Sequence, residues 1–242
     1  ANLGTTTGAW LIAGVGLKVD IAAYAMPMIA LGILLVFQTP RYLRGIGHAL
    51  GGLGFLFLGI SFMIAGFEAV RDHVEPSRYA LDGVAGLAVY TVLGAAATVV
   101  MQSSHATMVL VITALASGHL GYDNAIALAI GANIGTTVTA MIGAVSANFQ
   151  GRRLAFAHLI FNGSTGLVAL AFLVPLRALV DTLSAGLGIA ADDFALKLAV
   201  FHTVFNVLGI ILMLPVRHRL ERELRRRIPE PVREISHPRY LN

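Results

Sequence analysis

Apolar blocks as long as Ile46–Val70, Ala85–Leu120 and Leu198–Val216 constrain this chain more than any other feature, because a helix needs about 20 predominantly apolar residues to cross the hydrocarbon core of a bilayer. Several such blocks predict several spans, and a water-soluble globule is the losing alternative. Charge agrees: 12% of the residues are charged, about half of what soluble domains carry. Most of the 26 glycines fall inside the apolar blocks, where they let membrane helices approach closely or break. With no cysteine, disulfide frameworks and thiolate metal sites are excluded.

The chain repeats itself. Ala1-Asn2-Leu3-Gly4-Thr5-Thr6 is matched by Ala132-Asn133-Ile134-Gly135-Thr136-Thr137, and each copy is followed by two further apolar stretches: Ile21–Gln38 and Ile46–Val70 after the first, Leu154–Val180 and Phe194–Val216 after the second. The second copy has a preceding segment, Tyr79–Ile130, that the first lacks. With Ala1 in place of an initiating Met and no signal-peptide pattern, the start reads as a cut within a longer protein. The expected units are 1–78, the remainder of a first repeat; 79–216, the second repeat; and 217–242, a basic tail.

Positive charge sets the orientation, since Lys and Arg concentrate on the cytoplasmic side. Eight of the 17 lie between Arg217 and Arg239, and Arg41, Arg44, Arg152 and Arg153 mark two further connections. Asp20, the Arg71–Glu75 run, Asp181, Asp192 and Asp193 mark the others. The helix after the first Gly-Thr-Thr then ends outside and the helix after the second ends inside, so the repeats are inverted. Inverted repeats with interrupted helices point to a secondary transporter with a site near the midplane.

From Arg78 to Arg152 there is no Lys or Arg, yet two polar clusters stand there: Gln102-Ser103-Ser104-His105-Ala106-Thr107 and Asn133-Ile134-Gly135-Thr136-Thr137. Polar groups at membrane depth need partners or a ligand. Both clusters read as helix breaks, with Thr136 after Gly135 suited to cap a new helix and Ser103 and Ser104 suited to do the same before Val109–Ala116. Two converging helix N-termini would bind phosphate without a fixed cation. The anion's charge must then be balanced by something carried with it, and sodium finds hard oxygen ligands in Gln102, Ser103, Ser104, Thr107, Asn133, Thr136 and Thr137. Simple hydrogen bonding between helices is the bland reading of each residue taken alone.

Gln102-Ser103-Ser104 together with Gly131–Thr137 resembles the paired signature of the type II sodium/phosphate cotransporters, and Ala1–Thr6 resembles its first-repeat counterpart. The likeness runs from Ala1 to about Val216. It implies an all-α polytopic membrane fold of two inverted repeats with re-entrant helix hairpins. It also implies sodium-coupled symport of inorganic phosphate with no enzyme activity and no cofactor beyond sodium as coupling ion, and phosphate and sodium contacts from Gln102, Ser103 and Ser104. The phosphate set is completed by His105, Asn133, Gly135, Thr136 and Thr137, and by repeat equivalence Asn2, Thr5 and Thr6. The family often has a third Ser where this chain has His105, which serves as a phosphate contact, a proton-sensitive element or a neutral His bonded to a carbonyl.

His158-Leu159-Ile160-Phe161-Asn162 and His202-Thr203-Val204-Phe205-Asn206 share one spacing that puts His and Asn on one helix face, and a role joining helices is expected. The basic tail suits a cytoplasmic surface near anionic lipid, and Pro238–Asn242 resembles the junction that leads to a PhoU-like helical domain in bacterial members. Expected partners are phosphate, sodium and the lipid bilayer of the cell membrane, crossed several times with the C-terminus cytoplasmic. No nucleic acid is expected, and a homodimer is left open. Three alternatives stand beside symport: a membrane phosphate sensor or scaffold, a carrier of another oxyanion, and an intramembrane hydrolase built on Ser104 with His105 or His119.

Overall fold

The structure, a computed structural model, describes residues 2–16, 21–71 and 83–230. Among these residues there is no strand. Helices follow in the order α1 (Asn2–Leu11), α2 (Ile21–Val36), α3 (Arg41–Arg71), α4 (Gly83–Met101), α5 (Ser104–Ala116), α6 (Tyr122–Ala144), α7 (Phe149–Ala171), α8 (Leu173–Gly186), α9 (Phe194–Met213) and α10 (Arg217–Arg227), with α1 continuing through a π-helical turn, Ile12–Gly16. Asp20, the connection at 72–82 and the junction at Pro238–Asn242 lie outside the described residues.

Among the described residues, five helices are long and apolar enough to cross a membrane: Arg41–Gly66 of α3, and α4, α6, α7 and α9. Large apolar side chains cover their outer surface. Val84 and Val100 of α4 are more than four-fifths exposed and Leu154 and Leu167 of α7 more than two-thirds, a surface that water does not tolerate over so wide an area and lipid does. The protein is an all-α polytopic membrane protein.

Inside the bundle, α5, α6 and α9 form the core, with Val109, Ile112, Ile126, Ile130, Leu198, Phe201 and Phe205 fully buried. Helix α5 has 13 residues, about 20 Å of helix, too short for a hydrocarbon core of about 30 Å. It is enclosed by α1, α3, α6 and α9. Glycine sets the closest approaches. A β-carbon on Gly131 would lie 2.0 Å from the Thr91 carbonyl oxygen, and one on Gly135 would lie 2.6 Å from that of Ala95. Helices α4 and α6 therefore touch backbone to backbone, as small residues four apart permit. Gly32 and Gly47 do the same between α2 and α3.

The stretch Leu154–Val180, read above as a single span, is two helices that part at Phe172. Pro175 is the reason: it has no N–H to offer the Ala171 carbonyl and its ring crowds that position, so α7 stops and Pro175 falls in the first turn of α8, where proline is tolerated. Helix α8 is tied down by ion pairs, Arg177 to Asp123 of α6 at 2.7 Å and Asp181 to Lys197 of α9 at 2.8 Å.

Candidate functional site

The expected break at the first cluster is present. Helix α4 ends at Met101, and Gln102 takes a left-handed backbone with φ of 53°, which costs a non-glycine residue about 1–2 kcal/mol. Its side-chain amide donates to the Val99 carbonyl at 2.6 Å and so satisfies one of the carbonyls that the end of α4 leaves over. Ser103 is extended, and its hydroxyl accepts from the Ala106 N–H at 3.2 Å as the N-cap of α5. The chain folds back here: Thr98 and Thr107 share a hydrogen bond of 2.9 Å, although nine residues of straight helix would part them by about 13 Å. The backbone N–H groups of Ser104 and His105, in the first turn of α5, have no intrahelical acceptor and carry the positive end of the helix dipole. Ser103 and Ser104 are half-buried, Gln102 and His105 exposed, and Thr107 buried.

The second cluster is not a break. Helix α6 runs unbroken through Asn133–Thr137, which overturns the reading of Thr136 as a helix cap with free N–H groups. The polar side chains are turned onto their own helix. Asn133 donates to Ala129 O at 3.0 Å, Thr136 to Asn133 O at 2.6 Å and Thr137 to Ile134 O at 2.6 Å. Gly131 and Gly135, which could have opened the helix, are instead pressed on α4.

The two clusters nonetheless meet. A β-carbon on Gly135 would fall 2.7 Å from Cβ of Thr98, the residue bonded to Thr107 across the break, so α6 passes directly behind the fold-back. Helix α1 closes another side, since the His105 ring lies against Gly8, with its Cδ2 2.4 Å from where a β-carbon would stand. Upstream in α1, Thr6 is buried and donates to Leu3 O at 2.8 Å, the same three-residue back-bond that Thr137 makes to Ile134. Thr5 is half-buried beside it, and the backbone of Asn2 opens the helix.

Asn162 of α7 joins helices as expected, and does so on candidate residues: its amide donates to Asn133 O at 2.7 Å and Thr136 Oγ1 at 3.2 Å, with His158 Nε2 at 3.0 Å. The α9 pair differs. Asn206 donates to His202 O at 2.8 Å within its own helix, and the bond between helices comes from the neighbouring Thr203, which accepts from Trp10 Nε1 of α1 at 2.9 Å. Sequence reasoning missed Lys197, which is buried on α9 against Asp181 with the Phe194 ring 5.6 Å from its ammonium. A lone Lys at the fourth residue of an apolar helix was the available signal.

Together these elements offer an anion the N–H groups at the start of α5, and offer a cation neutral hydroxyl and amide oxygens, with no Lys or Arg from residue 79 to 151.

Comparison with known proteins gives a consistent result. Residues 1–65 and 84–226 match the Na+/Pi-cotransporter family. The uncharacterized protein YqeW of Bacillus subtilis is 29% identical over 238 residues, 94% of this chain and 70% of YqeW. YjbB of Salmonella typhimurium, named for inorganic phosphate export, is 26% identical over 245 residues, 99% of this chain and 43% of YjbB. Sodium-dependent phosphate transport protein 2A of Rattus norvegicus is 29% identical over 155 residues, 60% of this chain and 24% of that protein. The chain thus spans less than half of these two phosphate-named relatives. No solved structure matches it.

Proposed function

Because the chain belongs to the Na+/Pi-cotransporter family, we propose that it is the transmembrane core of a secondary transporter that carries inorganic phosphate together with sodium across the cell membrane. The observation that carries this reading is the fold-back at Gln102–Ser103, which sets the N-terminus of α5 between α1, through His105 and Gly8, and α6, through Thr98 and Gly135, the two helices that bear the repeated motif.

The geometry favours a division of labour. Phosphate accepts hydrogen bonds, and donors remain at the break: the N–H groups of Ser104 and His105, the hydroxyls of Ser103 and Ser104, and the amide of Gln102. Thr136, Thr137 and Thr6 have already given their protons to carbonyls one turn back, so their oxygens present lone pairs, which suit a cation better than an anion. Sodium is accordingly assigned to Thr136 and Asn133 of α6 with Thr107 and the Gln102, Ser103 and Ser104 oxygens. Thr5 and Asn2 stay in the surroundings of phosphate by repeat equivalence, whereas Gly135, within an unbroken α6 and closed by Ala95 and Thr98 of α4, is left out of them. Binding one ion lowers the electrostatic cost of the other, which is the basis of coupling.

The same reading takes 1–78 and 79–216 as inverted repeats, α4–α5 as a re-entrant hairpin and the Arg-rich 217–242 as cytoplasmic. A second reading, outward rather than inward transport of phosphate, is favoured by the name of the Salmonella relative, an inorganic phosphate export protein. Radiolabelled phosphate flux in proteoliposomes of the full protein separates the two. Accumulation under an inward sodium gradient and none under potassium is expected; release from phosphate-loaded vesicles with no accumulation supports export; phosphate binding without flux supports a sensor.

A further inference from the structure

Helix α10 does not trail into solvent. After the turn at Leu214–Val216 it folds along the first turns of α7, where Arg153 Nε donates to Ile228 O at 2.9 Å. Between the two helices is a cavity of about 460 Å³. Its lining changes along α7, from Arg153 at the mouth, where the helix starts, to Leu154, Ala157 and Phe161 further along the span; α10 and its flanks add the charged Arg217, Glu221, Arg225 and Glu230 and the apolar Met213, Leu220 and Leu224. Arg153 and Phe161 are eight residues apart, about 12 Å of helix. The mouth lies where the α7 span begins and the α9 span ends, so the charged end sits at the membrane boundary and the apolar end inside the bilayer.

We propose that this cavity binds one anionic phospholipid, its phosphate held by Arg217 and Arg225 and an acyl chain laid along Leu154, Ala157 and Phe161. Three guanidiniums against two carboxylates leave the mouth positive, and Arg219, Arg222, Arg226 and Arg227 raise the potential around it. Basic pockets at the edge of a span select acidic headgroups on this ground. An apolar ligand would leave the mouth uncompensated, and a small free anion would leave the deep half empty. A second cavity of about 620 Å³ lies on the other side of the same α7 stripe and shares Leu154, Ala157 and Phe161 with the first, which gives the second acyl chain a groove of its own. Occupancy would fix α10 to α7, and with it whatever the chain carries after α10. The proposal stands apart from the transport site, since neither cavity includes Gln102, Ser103 or Ser104.

Native mass spectrometry of the full chain in detergent, titrated with phosphatidylglycerol or with phosphatidylcholine of identical acyl chains, tests it. Phosphatidylglycerol is expected to saturate at one tightly held lipid, phosphatidylcholine to bind weakly, and excess inorganic phosphate to displace nothing. The pair Arg217→Gln/Arg225→Gln lowers phosphatidylglycerol affinity roughly tenfold or more, whereas Arg219→Gln/Arg226→Gln, outside the cavity and acting only through the surrounding potential, lowers it clearly less. Should the first pair not yield folded protein, Ala157→Phe fills the deep half without touching charge and is expected to abolish the tight adduct. Equal binding of both lipids, equal loss in both Arg pairs, or displacement by inorganic phosphate would each overturn the proposal.

Discussion

Gln102–Thr107 and Asn133–Thr137 are neighbours in space and similar in composition, each a run of small polar residues between apolar flanks, yet one ends a helix and the other does not. At the first, Ser103 Oγ accepts the Ala106 N–H and Gln102 donates to the Val99 carbonyl, so each helix end is capped by one side chain and the chain can turn. At the second, Thr136 and Thr137 donate to carbonyls of their own helix and the glycines are filled by the α4 backbone. A hydroxyl that accepts from N–H starts a helix; one that donates back to C=O stays within it. The difference also separates chemistry, because a break presents N–H donors to an anion whereas back-bonded threonines present only oxygen.

The largest effect expected from breaking this contrast is at Gly131. Leucine there would drive side-chain atoms into the Thr91 carbonyl and the Ala95 amide of α4, neither of which can move without unpacking both helices. A loss of about 3 kcal/mol or more follows, read as failure of Gly131→Leu to give a monodisperse peak in size-exclusion chromatography. If the variant purifies and melts as the parent does, α4 and α6 are not in backbone contact and Gly135 has no reason to stay helical.

Next in size is a pair that sharpens the division between anion and cation. Ser104→Ala removes a donor at the start of α5, and Thr136→Val removes an oxygen on α6 while keeping the shape. Each is expected to cost about 1.5 kcal/mol of ligand binding, roughly tenfold in affinity. The two differ in which ligand is affected more: Ser104→Ala, which loses a phosphate donor and one of several sodium oxygens, raises the half-saturating phosphate concentration more than that of sodium, and Thr136→Val raises that of sodium at saturating phosphate. Both effects falling on the same ligand would dissolve the distinction.

A smaller loss is expected for Asn162→Leu, which cuts the tie from α7 to Asn133 and Thr136. Interhelical hydrogen bonds in membranes average about 0.6 kcal/mol each, so with two lost the apparent melting temperature should fall by a few degrees with the fold intact. An unchanged melting temperature would mean that Asn133 and Thr136 hold their places without α7.

Much of this architecture is legible in the residues. The apolar blocks give the spans, the Gln-Ser-Ser run gives the fold-back because its side chains can cap both ends, and the spacing His-x-x-Phe-Asn gives the tie at Asn162. Misreadings share one cause. Gly131, Gly135 and the threonines carry the same local signal whether a helix breaks or packs, and the outcome is decided by Thr91 and Ala95, some 40 residues earlier in the chain. Pro175 is the reverse case: the signal against a continuous Leu154–Val180 span is local and strong, and it outweighs the length of the apolar block. Lys197 was hidden because its partner, Asp181, stands on a helix that the undivided span had absorbed.

The smallest effect sits at the repeat's other copy. Gly4 matches Gly135 in the sequence, but a β-carbon on Gly4 would meet nothing within 4 Å, whereas one on Gly135 would strike Ala95 O and Thr98 Cβ. Gly4→Ala is therefore expected to be neutral or to stabilise by up to about 1 kcal/mol through helix propensity, while Gly135→Ala destabilises. Thermal unfolding of the two variants in one detergent reads the difference directly. Equal destabilisation would mean that the open face of α1 is covered in the full protein by a helix lying on it as α4 lies on α6, and that the two copies of the motif differ in their described surroundings but not in their packing.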